Sequence, residues 1–502
     1  MADNVTLHDS LAINIPLRSH HETEIKNDSE PPVYQNLQLN FNGEWKDRGF
    51  AIVFWIHITV VVVVGLVLGV PTLLSNTPQI SLGQGKQISS EFAIEPFVYS
   101  LSGTAAVCGL LSFLIIFALQ LCAGQLIKCS FFILIIMQIL MAMAFYFVEP
   151  LLCFIPGAFL LITLIYISCV RKRIAFAEVH LQAGCAALRS HLSLVLVLLV
   201  MLIVEFMWFV FWCLMLVGVT GVIFTNADKN STSNIGVWWY WLIGKIVLFL
   251  LLLSLYWGAV TFGNIIHFIT ACTVGDWWFT IDGSGNYGMV NSIKRAFTTN
   301  LGTICFGSLF ETIIKTLRFF ARDGRRNNIL TCIIDCILQT IEKLVGYLNE
   351  WAFTFAALTG EGFVQASRSF IELFKKRGWT AIINDSIIET TFMIINLGIG
   401  LITAITGTCI THNMMTESAE KIGFVVIIAF ISFLIGIFMS SIITTLLKSC
   451  VRTVFVCFAL HPAALGATHP DYLQKLTKVW HKFYPEEFAN SGYANEFKEP
   501  IV

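Results

Sequence analysis

Glu205 is a carboxylate in the middle of a long apolar run, and Trp208 and Trp212 follow it at i+3 and i+7. That spacing sets all three on one face of a helix. A charge at membrane depth is costly and faces the protein interior or a water-filled path. A carboxylate beside indole faces suits a quaternary ammonium. Such an ion cannot donate hydrogen bonds, so it is held by counter-charge and by cation–π contacts of about 2 kcal/mol each when desolvated. The same three residues also fit a plainer arrangement, in which the indoles pack between helices and Glu205 pairs with a structural base. Lys245, the other charge inside an apolar run, is the candidate base if its helix is a neighbour.

A second group lies on the stretch from Val237 to Phe279. Trp257 sits near its middle, next to Gly258 and close to Gly263, where a bend or a broken helix is expected. Asn264 and His267 follow, three residues apart, placed to hydrogen-bond across helices or to relay a proton. Trp238, Trp239 and Trp241 at one end, and Trp277 and Trp278 at the other, read as interfacial belts. Enzyme signatures are absent: the chain has no GxSxG, no Walker-type phosphate loop and no HExxH. Its 14 cysteines include no CxxC pair and no Cys/His ligand spacing, so they read as apolar filler. No enzyme activity, metal or cofactor is expected.

The elements that must position these residues are membrane helices. Of the 502 residues, 56% are hydrophobic and only 13% charged, against about 25% charged in an ordinary soluble domain. A net charge of −1 gives no basic bias toward nucleic acid. The apolar residues form blocks of spanning length. The predicted fold is all-α, a polytopic integral membrane protein of about ten transmembrane helices. Spans are expected near 50–74, 97–121, 130–148, 151–169, 192–223 and 237–279, then 386–411 and 422–447. Glu149-Pro150 should close a tight hairpin between the third and fourth. The stretch 296–371 is harder to assign. Ala296–Phe320 carries Glu311, Lys315 and Arg318; Ile329–Leu348 is amphipathic; Trp351–Ile371 is interrupted by Gly360-Glu361-Gly362. It fits two further spans, or a re-entrant or cytoplasmic hairpin.

Three regions follow: a disordered cytoplasmic tail over 1–48, a transmembrane domain over 49–447 and a cytoplasmic C-terminal tail over 448–502. Lys and Arg near span ends set the orientation. Lys46, Arg48, Lys128, Arg171, Lys172, Arg173, Arg189, Lys294, Arg295, Lys375, Lys376, Arg377, Lys448 and Arg452 fall on one side, so both termini are expected to be cytoplasmic. Asn230-Ser231-Thr232 is a glycosylation sequon in a loop on the opposite side.

Four ordered blocks resemble the choline transporter-like family, in particular its fungal-type branch. The first holds Tyr256, Trp257, Asn264, Ile265, Ile266, His267, Ala271, Trp277 and Trp278. The second runs from Ser292 through Lys294, Arg295, Gly302, Cys305 and Gly307 to Leu309. Glu342, Lys343, Asn349, Ala352, Gly360, Phe363 and Ser367 form the third, and Gly378 to Asp385 the fourth. Asp47 and the Phe54-Trp55 pair resemble the start of the family's first span. The pattern is departed from at Val260, Cys272 and Phe353. The resemblance covers about Asp47 to His461. It implies a ten-span protein of the plasma membrane or an organelle membrane that carries choline, with proton exchange as a proposed coupling. Substrate-binding candidates are Glu205, Trp208, Trp212, Trp257, Asn264 and His267, around a midplane cavity. Two other readings compete: carriage of ethanolamine, whose primary ammonium would make Asn264 matter more than the indoles, and a non-transport scaffold or lipid-handling role. The sequence sets neither the oligomeric state nor the coupling ion.

Overall fold

The structure is a computed structural model that describes residues 44–76, 94–229, 234–280, 288–323, 329–377, 380–415 and 419–490. Among these, every regular element is a helix. In chain order they are α1 (Arg48–Val64), a π-helical turn (Gly65–Gly69), α2 (Val70–Asn76), α3 (Ile94–Val148), a 3-10 turn (Pro150–Cys153), α4 (Phe154–Val170) and α5 (Ile174–Ser190). Then come α6 (Ser193–Lys229), α7 (Asn234–Phe279), α8 (Gly288–Phe297), α9 (Leu301–Asp323), α10 (Ile329–Thr359) and α11 (Phe363–Arg377). The chain closes with α12 (Thr380–Met414), α13 (Ala419–Leu460), α14 (Ala464–Thr468), α15 (Pro470–Phe483) and α16 (Pro485–Asn490).

The run Val60–Val64 would be a poor helix in water, because β-branched side chains lose rotamer freedom there. In lipid no water satisfies the backbone, so a helix is the structure open to a single span. Seven helical segments of the described residues are long and apolar enough to cross a membrane, and one of them, Pro96–Val148, has 53 residues, enough for two crossings. Large apolar side chains cover their outer faces, among them Ile52, Phe209, Phe430 and Phe438, all exposed. Such a surface belongs in lipid, and the chain is an all-α polytopic membrane protein.

Several expectations change. The second and third predicted spans fall on either side of a kink in α3 at Cys122, where φ is −136° and ψ 36°, so they are two helices that follow one another without a loop. The hairpin stop at Glu149-Pro150 forms as expected, with Glu149 extended and Pro150 opening the 3-10 turn. No break occurs near Gly258 and Gly263: α7 is one continuous helix. Trp351–Ile371 is not one element. Trp351 lies in α10, which ends at Thr359; Gly360 turns the chain at φ 74°, and α11 starts at Phe363. Only a glycine takes that left-handed turn without strain. The helices α9 and α10 pair with each other and pack against α7.

The region past Leu447 is built into the fold. α13 continues to Leu460, and 464–490 form three helices. α15 lies across the end of the bundle: Tyr472 meets Gln120 of α3 at 3.2 Å and the Trp277 ring of α7 at 6.2 Å, and the Trp480 ring lies 5.1 Å from Phe458 of α13. α5 is buried beneath it. At its centre the His180 imidazole stacks on Phe455, ring centroids 4.2 Å apart, with Nδ1 on the Phe176 carbonyl and Nε2 buried without a partner among the described residues. Burial pushes the His180 pKa down to about 3.

Candidate functional site

Two indole N–H groups fix the register of α6 on α7. Trp208 donates to the Leu255 carbonyl at 3.4 Å and Trp212 to Leu251 at 2.9 Å. Both indoles are buried. Gly258 makes room for the first: a Cβ there would overlap the Trp208 ring. This is the physical use of the glycine that the sequence suggested as a helix break. Trp257, also buried, donates to the Cys305 carbonyl of α9 at 3.1 Å.

An imidazole from α1 fills the space between these rings. His57 stacks on Trp257 with centroids 5.0 Å apart, and meets Trp208 edge-on at 5.3 Å. Phe54 closes on Trp257 at 5.3 Å, and Phe262 meets both Phe54 and Trp208, at 6.0 and 6.2 Å. His57 Nε2 is 2.7 Å from the Ser254 hydroxyl. Nδ1, on the other edge of the ring, is buried with no partner among the described residues. The result is a cage of two indoles and two phenyl rings with an imidazole inside. Trp212 stands outside it: its ring contact is with Phe209 of its own helix, 6.5 Å away.

Glu205 opens onto an adjoining cavity of about 440 Å³ lined also by Tyr256, Val260, Lys315, Arg318, Arg322 and Glu342. No side chain of the cage lines this cavity; Tyr256 and Glu205 stand one residue before Trp257 and three before Trp208 along their helices. Its bases are already held. Lys315 pairs with Glu311 at 2.7 Å, Arg318 with Glu342 at 2.7 Å and Asp335 at 3.2 Å, and Arg322 lies 4.0 Å from Asp335. These pairs also explain how a charged hairpin of α9 and α10 packs into an apolar bundle. Glu205, by contrast, makes no ion pair or hydrogen bond among the described residues. The expected pairing with Lys245 does not form. The α6–α7 register puts Lys245 level with about residue 218, roughly 20 Å along α6 from Glu205 at 1.5 Å per residue.

Asn264 and His267 point elsewhere. Asn264 donates to the Ser308 hydroxyl of α9 at 2.9 Å. His267 has both ring nitrogens in use: Nε2 with the Glu350 carbonyl at 2.7 Å and the Thr354 hydroxyl at 2.9 Å, Nδ1 with the Ser449 hydroxyl at 2.7 Å. Next to it Arg452 is 1% exposed. Its guanidinium pairs with Asp385 of α12 at 2.8 Å and with Glu350 of α10, and lies over the rings of Tyr347, at 5.1 Å, and Trp351, at 5.6 Å. Arg452 is therefore no surface base at a span end, as the charge count takes it to be. α13 runs on past it, and two carboxylates from other helices draw it inward.

Of the sequence candidates, the structure brings Trp208 and Trp257 into one cage, with Glu205 in the cavity beside it. Trp212, Asn264 and His267 serve helix contacts, and Asn230 lies outside the described residues. Sequence reasoning missed His57, Ser254 and the Arg452 cluster. The signal for His57 was there, a lone histidine in an apolar run three residues after Phe54, but nothing local says which rings surround it.

Residues 154–463, more than half of the chain, match the family described as plasma-membrane choline transporter. The chain is similar to a CTL-like protein of Dictyostelium discoideum, 28% identical over 332 residues, which are 64% of this chain and 55% of that protein. It is also similar to Protein PNS1 of Yarrowia lipolytica, 24% identical over 62% of this chain and 57% of that protein. Protein PNS1 of Cryptococcus neoformans is 27% identical, over 62% and 58%. The match thus spans little more than half the length of each of these relatives. With an all-α bundle and the length of the family match, the chain belongs to the choline transporter-like family.

Proposed function

We propose that the protein carries a small organic cation, choline first, across a membrane, as a secondary transporter or facilitator. The observation that carries this reading is the uncommitted carboxylate of Glu205 in the cavity wall. Around the cavity the basic side chains are held by acids, which leaves Glu205 as the charge with capacity for an incoming cation. Its neighbours favour an ammonium without N–H donors: Tyr256 in the cavity wall and the indoles of Trp208 and Trp257 behind it offer π faces rather than acceptors. The cation would enter the Glu205 cavity and pass to the cage. Ethanolamine is less well matched, because the Asn264 amide is engaged by Ser308.

In this reading both termini lie in the cytoplasm and the plasma membrane is the site of action. The Arg452 cluster then lies between the cage and the cytoplasmic end of the bundle, a positive layer that a departing cation must pass. Access would alternate by opening this layer while the Glu205 cavity closes. The test is uptake of radiolabelled choline into proteoliposomes holding the purified chain. Saturable uptake that Glu205→Gln abolishes, in a variant that still folds, supports the reading. Uptake no greater than into empty liposomes, with or without a pH gradient, overturns it.

A further inference from the structure

The cage contains a feature that the positive charge of a substrate does not explain. His57 is surrounded by Phe54, Trp208 and Trp257, yet it is not there as a fourth hydrocarbon ring. One edge is fixed, Nε2 at 2.7 Å from the Ser254 hydroxyl. The other edge, Nδ1, is buried and has no hydrogen-bond partner among the described residues. A buried polar atom left unpaired costs about as much as a lost hydrogen bond, and a phenylalanine would stack on Trp257 without that cost. An imidazole held at one nitrogen and open at the other suits a group that comes and goes.

We propose that His57 reads a hydroxyl on the substrate: the protein selects amino alcohols, a cationic head beside an O–H, over plain alkylammonium ions. The inference rests on the cation reading above and deepens it. The chemistry follows from the two tautomers. If Nε2–H donates to Ser254, Nδ1 is an acceptor and takes the substrate O–H. If the Ser254 hydroxyl donates to Nε2, Nδ1–H is a donor and finds the lone pair of the substrate oxygen. A hydroxyl serves either state. Meanwhile the charged head stays with Glu205 and the π faces of the cavity and cage, through Tyr256 and Trp208. Discrimination arises because an analogue without the hydroxyl leaves Nδ1 unpaired in a dry site, the arrangement that rejects a lacking ligand most strongly.

The experiment measures inhibition of radiolabelled choline uptake in proteoliposomes by unlabelled choline and by ethyltrimethylammonium, which is choline with its hydroxyl replaced by hydrogen. Wild type, His57→Phe and Ser254→Ala are compared, each checked for folding by its thermal transition in detergent. We expect ethyltrimethylammonium to inhibit wild type about tenfold or more weakly than choline does. In His57→Phe, which keeps the stacking ring, that ratio falls toward one. In Ser254→Ala, where the tautomer is no longer held, it falls part of the way. Equal inhibition of wild type by the two compounds overturns the inference alone and leaves the cation reading standing. So does a ratio that stays high in folded His57→Phe. If His57→Phe does not fold, the wild-type ratio and Ser254→Ala still decide. A wild type that takes up no choline overturns the cation reading, and this inference falls with it.

Discussion

Two polar regions lie inside the apolar bundle, about 15 Å apart along α7 between Trp257 and His267. In the inner one, Arg452, Asp385, Glu350, His267, Ser449 and Thr354 satisfy one another across α7, α10, α12 and α13. In the other, formed by α1, α6 and α7 with the cavity beside them, Glu205 and one nitrogen of His57 have no partner among the described residues. Burial is equally costly to polar groups in both places. A saturated cluster recovers that cost from its own members and so ties helices together. An unsaturated one recovers it only when something else arrives. Both regions contain a histidine and at least one tryptophan, so residue type alone does not tell them apart.

That difference can be broken by experiment, beginning where the effect is largest. Arg452→Met leaves Asp385 buried without the guanidinium it pairs with, and the partly exposed Glu350 beside it loses the same partner. Removing one partner of a buried pair costs about 3–5 kcal/mol, so little folded protein is expected, read as the monodisperse fraction after detergent extraction. If Arg452→Met proves as stable as wild type, the inner cluster is not the saturated tie described above.

Glu205→Gln should do the reverse. Since Glu205 makes no ion pair or hydrogen bond among the described residues, the thermal transition stays close to that of wild type, while choline uptake drops by tenfold or more, about 1.4 kcal/mol per decade. A large loss of stability with uptake per folded molecule unchanged would move Glu205 to the structural side. Trp257→Leu removes one π face worth about 2 kcal/mol, which corresponds to a roughly 30-fold rise in the choline concentration for half-maximal uptake. Trp212, outside the cage, should shift that concentration far less when changed to Leu.

His180 is a useful control, because it too has a nitrogen without a partner among the described residues but lies in α5 between phenyl rings, outside the cage of α1, α6 and α7. Its folded pKa of about 3 is below the value of about 6.5 for an unperturbed histidine. Between those values the unfolded chain binds more protons than the folded one. Stability is therefore full above about pH 6.5 and declines as the pH falls toward 3, by at most one proton's worth per pH unit from this group. Thermal transitions across that range should show His180→Phe to be less acid-sensitive than wild type, with choline selectivity unaltered. The smallest effect belongs to Asn264→Leu, whose bond to Ser308 is worth about 0.6 kcal/mol by comparison with other membrane helix pairs. Uptake of choline should survive it, and a selective loss of ethanolamine uptake would revive the competing substrate.

How far the site was legible varies by residue. Glu205 and Trp208 were readable because i and i+3 share a helix face, and Trp257 because it stood out in a long apolar stretch. His267 looked as functional as Trp257 on the same grounds, and only its three partners from α10 and α13 show it to be committed. The split of 351–371 hinged on one glycine with positive φ, which the sequence marked as an interruption without saying how sharply the chain turns there.

Composition and block length alone determined an all-helical membrane bundle, since lipid leaves a single span no other way to pair its backbone. They also determined which residues were anomalous at membrane depth. Tertiary structure decided which of those anomalies are satisfied. Whether a buried charge or ring nitrogen has a partner depends on helices far apart in sequence, as with His57 against Ser254 and Arg452 against Asp385 and Glu350. Periodicity along one helix carries no information about the register between two.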